Sequence, residues 1–124
     1  MLGNKDVIAT IGVRDLDRAK KFYEGKLGLT PAPSEEESVL NYKSGKSRLM
    51  VYVSEFAGTN KATAATWIVD DVEELARALK GKGVAFEHYD FPGMTRKGDV
   101  HFAGDVKNAW AKDPDGNILG FVSK

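Results

Sequence analysis

The 124-residue chain contains no cysteine, and its 18 basic residues are balanced by 18 acidic ones. Without cysteine there are no disulfides, no thiolate metal sites and no cysteine nucleophiles. Nucleic acid binding depends on clustered lysine and arginine, so a formal net charge of zero without a long basic run argues against nucleic acid as a principal partner.

Long hydrophobic runs are also missing. No segment approaches the ~20 apolar residues of a membrane span, and residues 1–6 lack the apolar stretch of a signal peptide. We therefore expect no membrane association and a cytoplasmic location. The length predicts a single domain, residues 1–124, that can bury a substantial core.

A sequence pattern repeats at nearly half the chain length. Val13-Arg14-Asp15-Leu16 ends a β-like run and starts a helix, and Val69-Asp70-Asp71-Val72 does the same 56 residues later. Each helix then stops at a glycine next to a short apolar run, Gly28 in the first half and Gly83 in the second. Such a period predicts two copies of one supersecondary unit.

The hydrophobic pattern predicts the same order of elements in both halves, a strand, a helix and further strands. In the first half we expect a strand over 7–13, a helix capped by Asp15, a loop or edge strand over 30–37 and a hairpin over 39–53. In the second half we expect a strand over 63–69, a helix with Asp71 and Glu74 as a capping box, a strand over 84–89, a glycine-rich loop over 90–105, and strands over 107–112 and 118–122.

Three segments resemble the vicinal oxygen chelate superfamily, which includes glyoxalase I, bleomycin-resistance proteins, fosfomycin-resistance enzymes and extradiol dioxygenases. They are Val13-Arg14-Asp15-Leu16, the helix end over 22–29 and the closing turn Asp113-Pro114-Asp115-Gly116-Asn117. The resemblance implies an α+β fold of two βαβββ modules, about residues 1–55 and 62–124. Their curved mixed sheets would surround a central cleft, with the helices on the outer face.

In many enzymes of this superfamily a divalent metal is held by His, Glu or Gln from four strands. The resemblance places those positions at Ile8, at Ala64, at Gly120 and on the strand around 49–52. A divalent cation needs several nitrogen or oxygen donors, and none of these positions supplies one. We therefore predict that the protein binds no metal and uses no cofactor, like the metal-free bleomycin-resistance-like binding proteins.

Alternation along the strands makes the emptied metal face small, mostly apolar and lightly hydroxylated, with the bulkier side chains under the helices. Such walls suit a flat, largely apolar organic molecule such as an antibiotic. Phe102 and Met94 are expected in the long loop, where they could cover the ligand. The predicted ligand-binding residues are Ile8, Thr10, Met50, Tyr52, Ala64, Thr66, Phe102, Trp110 and Gly120.

Metal-independent sequestration is the leading hypothesis, and it requires no catalytic residue. The alternative is a glyoxalase- or dioxygenase-like lyase or isomerase, with His101 or His88 as the proton-transfer group and Tyr52 or Tyr42 as the acid. A third hypothesis is a scaffold or regulatory module whose cavity is filled by its own side chains.

Simpler interpretations stand beside these functional ones. His101 reads as a solvated loop histidine, His88 as a structural strand residue and Trp67 as a core residue, while Trp110 fits either pocket or core. Open sheet edges and a concave apolar face favour a homodimer, and the resemblance implies a twofold one. The modules could pair within one chain or between two.

Overall fold

The computed structural model describes residues 1–124 and has an α+β architecture with two mixed sheets, as predicted. The first module contains β1 (Ala9–Val13), α1 (Leu16–Lys20) with a π-helical continuation (Lys21–Lys26), β2 (Thr30–Ala32), β3 (Val39–Ser44) and β4 (Ser47–Val53). The second contains β5 (Thr63–Ile68), α2 (Val72–Gly81), β6 (Ala85–Glu87), β7 (Thr95–Lys97), β8 (Val100–Ala103), β9 (Val106–Lys112) and β10 (Ile118–Ser123). None of the helices has the length and apolar content needed to cross a membrane.

The internal repeat extends to the order of strands. The first sheet runs β1-β4-β3-β2, and the second runs β5-β10-β9-β8-β7 with β6 also paired to β9. In both modules the first strand lies parallel to the last, and the remaining pairs are antiparallel. The segment predicted as a loop or edge strand contains β2, which is an edge strand with a proline at its centre.

The first helix changes its hydrogen bonding midway. The Asp15 carboxylate caps it by accepting the N–H groups of Asp17 and Arg18 at 2.9 and 3.3 Å. Past Lys20 the helix widens into a π-helical turn, in which the amide of Leu27 donates to the carbonyl of Phe22 at 2.9 Å. The apolar spacing predicts an ordinary helix here and does not reveal this turn.

The second helix forms half of its predicted capping box. The Asp71 carboxylate accepts the amide of Glu74 at 3.1 Å, but the Glu74 side chain makes no return bond. The amide of Val72 donates instead to the hydroxyl of Ser123 at 3.2 Å, which joins the start of α2 to the end of β10.

The segment over 90–105 is not a loop, contrary to the sequence-based prediction. It contains β7 and β8, which pair as an antiparallel hairpin around a turn that includes Gly98 in the left-handed region. β8 in turn pairs with β9, so the hairpin extends the second sheet. The glycines that suggest a loop mark the turns around short strands. The second module therefore has one hairpin more than the first.

A single hydrophobic core joins the two modules. Ile11 and Val13 on β1 are buried while Thr10 between them is exposed, so the predicted alternation of faces is confirmed on this strand. The helix-facing sides of both sheets contribute to one cluster of 17 buried residues, which includes Phe22, Tyr23, Leu119 and Phe121.

We call the boundary where the two modules pack together the seam. The buried carboxylate of Asp113 accepts hydrogen bonds from both modules there. The hydroxyl of Tyr23 donates to it at 2.7 Å, and Asn117 donates both its amide and its side-chain Nδ2, each at 2.8 Å. Burial, reinforced by the negative charge of Asp113, raises the pKa of Tyr23, so the phenol stays protonated and remains a donor.

We predict that Tyr23→Phe lowers the free energy of unfolding by about 2 kcal/mol, because Asp113 is buried and water cannot replace the lost donor. Urea unfolding measures this loss. The matched control is Tyr42→Phe, which removes a 2.7 Å bond to the half-buried Glu24. Its expected cost is about 1 kcal/mol or less, since water can reach that carboxylate. Equal costs for the two variants would contradict the seam role of Tyr23.

Candidate functional site

We call the face of each sheet that turns away from the helices its cleft face. Residues that oppose each other across paired strands share a face. The registers therefore assign Thr10, Gly12, Asn41, Met50 and Tyr52 to the cleft face of the first sheet. They assign Thr66, Ile68, Asn108, Trp110 and Gly120 to that of the second sheet.

The predicted ligand-binding residues of the first module lie on an open surface. Thr10 and Tyr52 are exposed and Met50 is half-buried. Ile8 lies just before β1 and is 47% exposed. Thr10 opposes Met50 directly, so the sequence correctly groups these two residues. No side-chain hydrogen bond occupies the hydroxyl of Tyr52.

In the second module, Gly120 makes room for an indole ring. Gly120 lies between Thr66 on β5 and Trp110 on β9. A Cβ atom at Gly120 would lie 3.1 Å from Thr66 Oγ1 and 3.3 Å from Thr63 Cγ2, which is tight, and 3.4 Å from Trp110 Nε1, in direct contact with the indole. The missing side chain therefore lets Trp110 lie against β10. Ala64, two residues before Thr66, is exposed on the same strand.

Trp110 is the centre of an aromatic cluster that sequence reasoning only partly identified. Its ring centroid lies 4.9 Å from that of His101, 5.4 Å from Tyr89 and 5.6 Å from Phe91, with edge-to-face geometry in each case. Phe91 is 44% exposed, so the cluster reaches the surface. Tyr89 and Phe91 were missed, although their alternation around Asp90 is a signal that both share one face.

The sequence suggested that His101 is a solvated loop histidine. This interpretation is wrong, because His101 lies on β8 and is buried. Its Nε2 accepts the amide of Tyr89 at 2.9 Å, whereas its buried Nδ1 has no partner. Burial lowers the pKa of His101, backbone contacts with Asn108 and Tyr89 oppose this effect in part, and the charge of Arg96 adds to it. The imidazole is therefore neutral at pH 7 with its proton on Nδ1, because Nε2 acts as an acceptor.

His88 has a structural contact, in line with the simpler interpretation of this residue. Its Nε2 lies 2.8 Å from Asp99 Oδ1, and Lys80 Nζ lies 3.2 Å from the other oxygen of that carboxylate. The hydrogen bond from His88 lowers the pKa of Asp99. This group ties α2 to the turn between β7 and β8.

Two other candidates lie away from the cleft faces. Phe102 opposes Lys107, which pairs with Glu73 of α2 at 2.6 Å, so Phe102 lies on the helix-facing side of β8. Its predicted place in a covering loop is wrong, because the segment pairs as a strand. Tyr42 is buried in the core, where burial and its bond to Glu24 raise its pKa, so it supplies no acid to the cleft face.

The residues at the four positions that the resemblance assigns to metal ligands do not fit a divalent cation. Ile8 and Ala64 have hydrocarbon side chains, and the space beside Gly120 is taken by the indole of Trp110. On β4 the cleft face presents a thioether and a phenol, from Met50 and Tyr52. The structure contains no group of three or more His, Asp or Glu side chains arranged to hold a metal.

Trp67 has the core position that the sequence favoured. Its ring stacks on Phe121 at a centroid distance of 5.7 Å, and its Nε1 donates to Ser44 Oγ of the first module at 2.9 Å. It belongs to the helix-facing side and packs against the core cluster.

Comparison with known proteins identifies the family and the fold of this chain. Residues 7–121 match the family model described as the Glyoxalase/Bleomycin resistance protein/Dioxygenase superfamily. A search of curated proteins finds no significant match. The solved structures with the same fold include a glyoxalase/bleomycin resistance protein/dioxygenase from Alicyclobacillus acidocaldarius, which is 21% identical with a TM-score of 0.71 and covers 97% of this chain and 91% of its own.

Two further solved structures carry more specific descriptions. A lactoylglutathione lyase from Agrobacterium tumefaciens is 17% identical, with a TM-score of 0.72 over 99% of this chain and 96% of its own. The fosfomycin resistance protein FosX from Listeria monocytogenes is 12% identical, with a TM-score of 0.72 over 95% of this chain and 91% of its own. At these identities the similarity shows a shared fold and does not separate binding from lyase activity.

We predict that His101 titrates below the ordinary histidine value of about 6.5. Ring-carbon NMR of His88→Gln, which leaves His101 as the one histidine, measures this pKa directly. A lowered pKa in the folded state also means that the His101 contribution to stability is complete above about pH 6.5 and is lost as the pH falls through the folded value. A midpoint at or above 6.5 would show that the imidazole is not desolvated.

Proposed function

This chain belongs to the glyoxalase/bleomycin resistance protein/dioxygenase superfamily, and we propose that it binds a small, planar, largely apolar organic molecule such as an antibiotic without a metal ion. The proposed site is the cleft face, with Thr66, Trp110 and Gly120 of the second sheet and Ile8, Thr10, Met50, Tyr52 and Ala64 as further contacts. The protein would act by sequestration, which requires no catalytic group.

The observation that carries this proposal is the indole of Trp110 beside Gly120, at the place where a metal ligand would stand. An aromatic ring there offers a stacking surface to a planar molecule, a contact worth about 1 kcal/mol beyond simple burial. The Trp110 indole N–H and the Thr66 hydroxyl make no hydrogen bond within the chain, so both remain available to a ligand. Such a mostly apolar wall with a few polar groups is typical of small-molecule sites.

A second candidate function is a metal-independent lyase or isomerase that uses His101. The unpartnered Nδ1 of His101 favours it, because a neutral imidazole with a free N–H can exchange a proton with a substrate. His101 is fully buried and forms a T-shaped pair with Trp110, so a substrate would reach Nδ1 only if surrounding side chains moved aside. Turnover that disappears in His101→Gln would favour this function over sequestration.

The exposed area of the protomer supports a homodimer as the binding form. The chain exposes 8152 Å², whereas a compact monomer of 13.5 kDa is expected to expose about 6,500 Å². Exposed residues 1–8 account for part of the difference, and the open cleft faces for another part. A standard interface buries about 800 Å² per partner. Large apolar side chains exposed on the cleft faces include Ile68 at 89% and Tyr52 at 37%.

A cytoplasmic location remains a prediction.

We predict that planar aromatic antibiotics raise the thermal midpoint of the protein equally in EDTA and in added Zn²⁺ or Ni²⁺, as measured by a thermal-shift screen. Trp110→Ala should weaken the affinity of a hit by about tenfold, because it removes the stacking surface. The control Phe56→Ala removes an exposed aromatic ring on the connector between the modules and should leave that affinity unchanged. Stabilisation that appears only with metal would overturn the proposal.

We predict that the protein is a dimer in sedimentation equilibrium and that Ile68→Lys converts it to a monomer. In the dimer the cleft face would be buried, so a lysine at position 68 would lose its hydration without gaining a charge partner. The matched control is Phe56→Lys. Phe56 is 70% exposed on the connector between the modules, away from the cleft faces. A monomeric mass for the unaltered chain at all concentrations would rule out the dimer.

A further inference from the structure

A groove of about 500 Å³ lies at one end of the seam between the modules, away from Trp110 and Gly120. It runs between the turn that joins β3 to β4 and the end of β5, and we call it the seam groove. Its volume is in the range of small-molecule sites. Its lining includes Val7, Ser44, Lys46, Arg48, Trp67 and Ile68.

The charge around the seam groove is positive and uncompensated. Lys43 and Arg48 oppose each other directly across β3 and β4, and Lys46 lies in the turn between them. Like charges in directly opposed positions destabilise a strand pair. No aspartate or glutamate occurs in residues 38–54, and none of the three cations makes an ion pair. Asp6 is adjacent to Val7 in sequence but is exposed and pairs with none of them.

The internal repeat relates this groove to the other end of the boundary between the modules, where the connector over 54–60 fills the space. In the internal repeat, the turn from β9 to β10 corresponds to the turn from β3 to β4. The connector over 54–60 packs against the turn from β9 to β10. Asn117 donates to the carbonyl of Gly12 at 2.8 Å and accepts the amide of Gly58 at 3.2 Å. A Cβ atom on Gly58 would overlap the Asp115 carbonyl, so the connector fits there without free space. The equivalent place beside Ser44 and Trp67 is the seam groove.

We infer that the seam groove is a second binding site, for a small organic anion with an apolar body. Lys46 and Arg48 at one end suit a carboxylate, sulfonate or phosphate group. Trp67 and the 90% exposed Val7 supply apolar surface for the rest of the molecule. The indole N–H of Trp67 is already bonded to Ser44, so Trp67 contributes its ring and not a donor. The groove is lined also by Thr66 and Ile68 of the cleft face, but not by Trp110 or Gly120, on which the proposed function rests, so the two proposals can be tested separately.

The test uses two fluorescent probes that differ in charge. The anion is 8-anilinonaphthalene-1-sulfonate, and the neutral analogue that lacks the sulfonate is N-phenyl-1-naphthylamine. We expect the anion to bind with amide NMR shifts in residues 45–48 and 65–68. The double variant Lys46→Gln/Arg48→Gln should weaken the anion about tenfold or more and the neutral probe less than twofold.

A matched control removes the same charge elsewhere. Lys20→Gln/Lys21→Gln changes two exposed cations on the first helix and should leave the affinity for the anion unchanged. Near-UV circular dichroism verifies that both double variants keep the native packing. The inference is overturned by equal loss in both double variants, by no loss in Lys46→Gln/Arg48→Gln, or by anion-induced shifts confined to residues around Trp110 and Gly120. The last result would leave the cleft-face function standing, so the two sites fail separately.

Discussion

The arrangement of the two modules depends on one buried carboxylate, that of Asp113. A buried carboxylate is costly unless hydrogen bonds satisfy it, and its partners here come from both halves of the chain. Tyr23 reaches it from the π-helical turn of the first module, while Asn117 holds it from the second and also bonds to the carbonyl of Gly12. These bonds join the first helix and β1 to the turn between β9 and β10, and the helix-facing sides of both sheets share one core.

Because the helix-facing sides are buried in the shared core, the cleft faces are the sheet surfaces that remain open to a ligand. At Gly120 the loss of a side chain has two consequences. Glycine supplies no donor for a metal ion, and its backbone leaves the indole of Trp110 in contact distance. One fold hosts many functions because such substitutions change the site without changing the frame. Under the proposed function, this wall binds a ligand by stacking and a few hydrogen bonds, without a metal ion.

The two modules are similar in strand order but differ at the ends of their seam. The connector fills one end, where Gly58 meets the turn that contains Asp115, and the other end remains a groove beside Trp67. Comparison of equivalent positions within the chain therefore shows that one end of the boundary between the modules is packed and the other is open. The unpaired cations beside that groove indicate which chemistry would fit the place.

Local patterns in the sequence were enough to predict much of this structure. The alternation of Ile11 and Val13 with Thr10, the capping by Asp15 and the turn over 113–117 depend on neighbouring residues, so the sequence determined them and, through the repeat, the two-module fold. The hairpin within 90–105, the burial of His101 and the helix-facing side of Phe102 depend on pairing with β9, which is distant in sequence. The tertiary structure alone decided these, because a short strand flanked by glycines has no local signal for the partner that buries it.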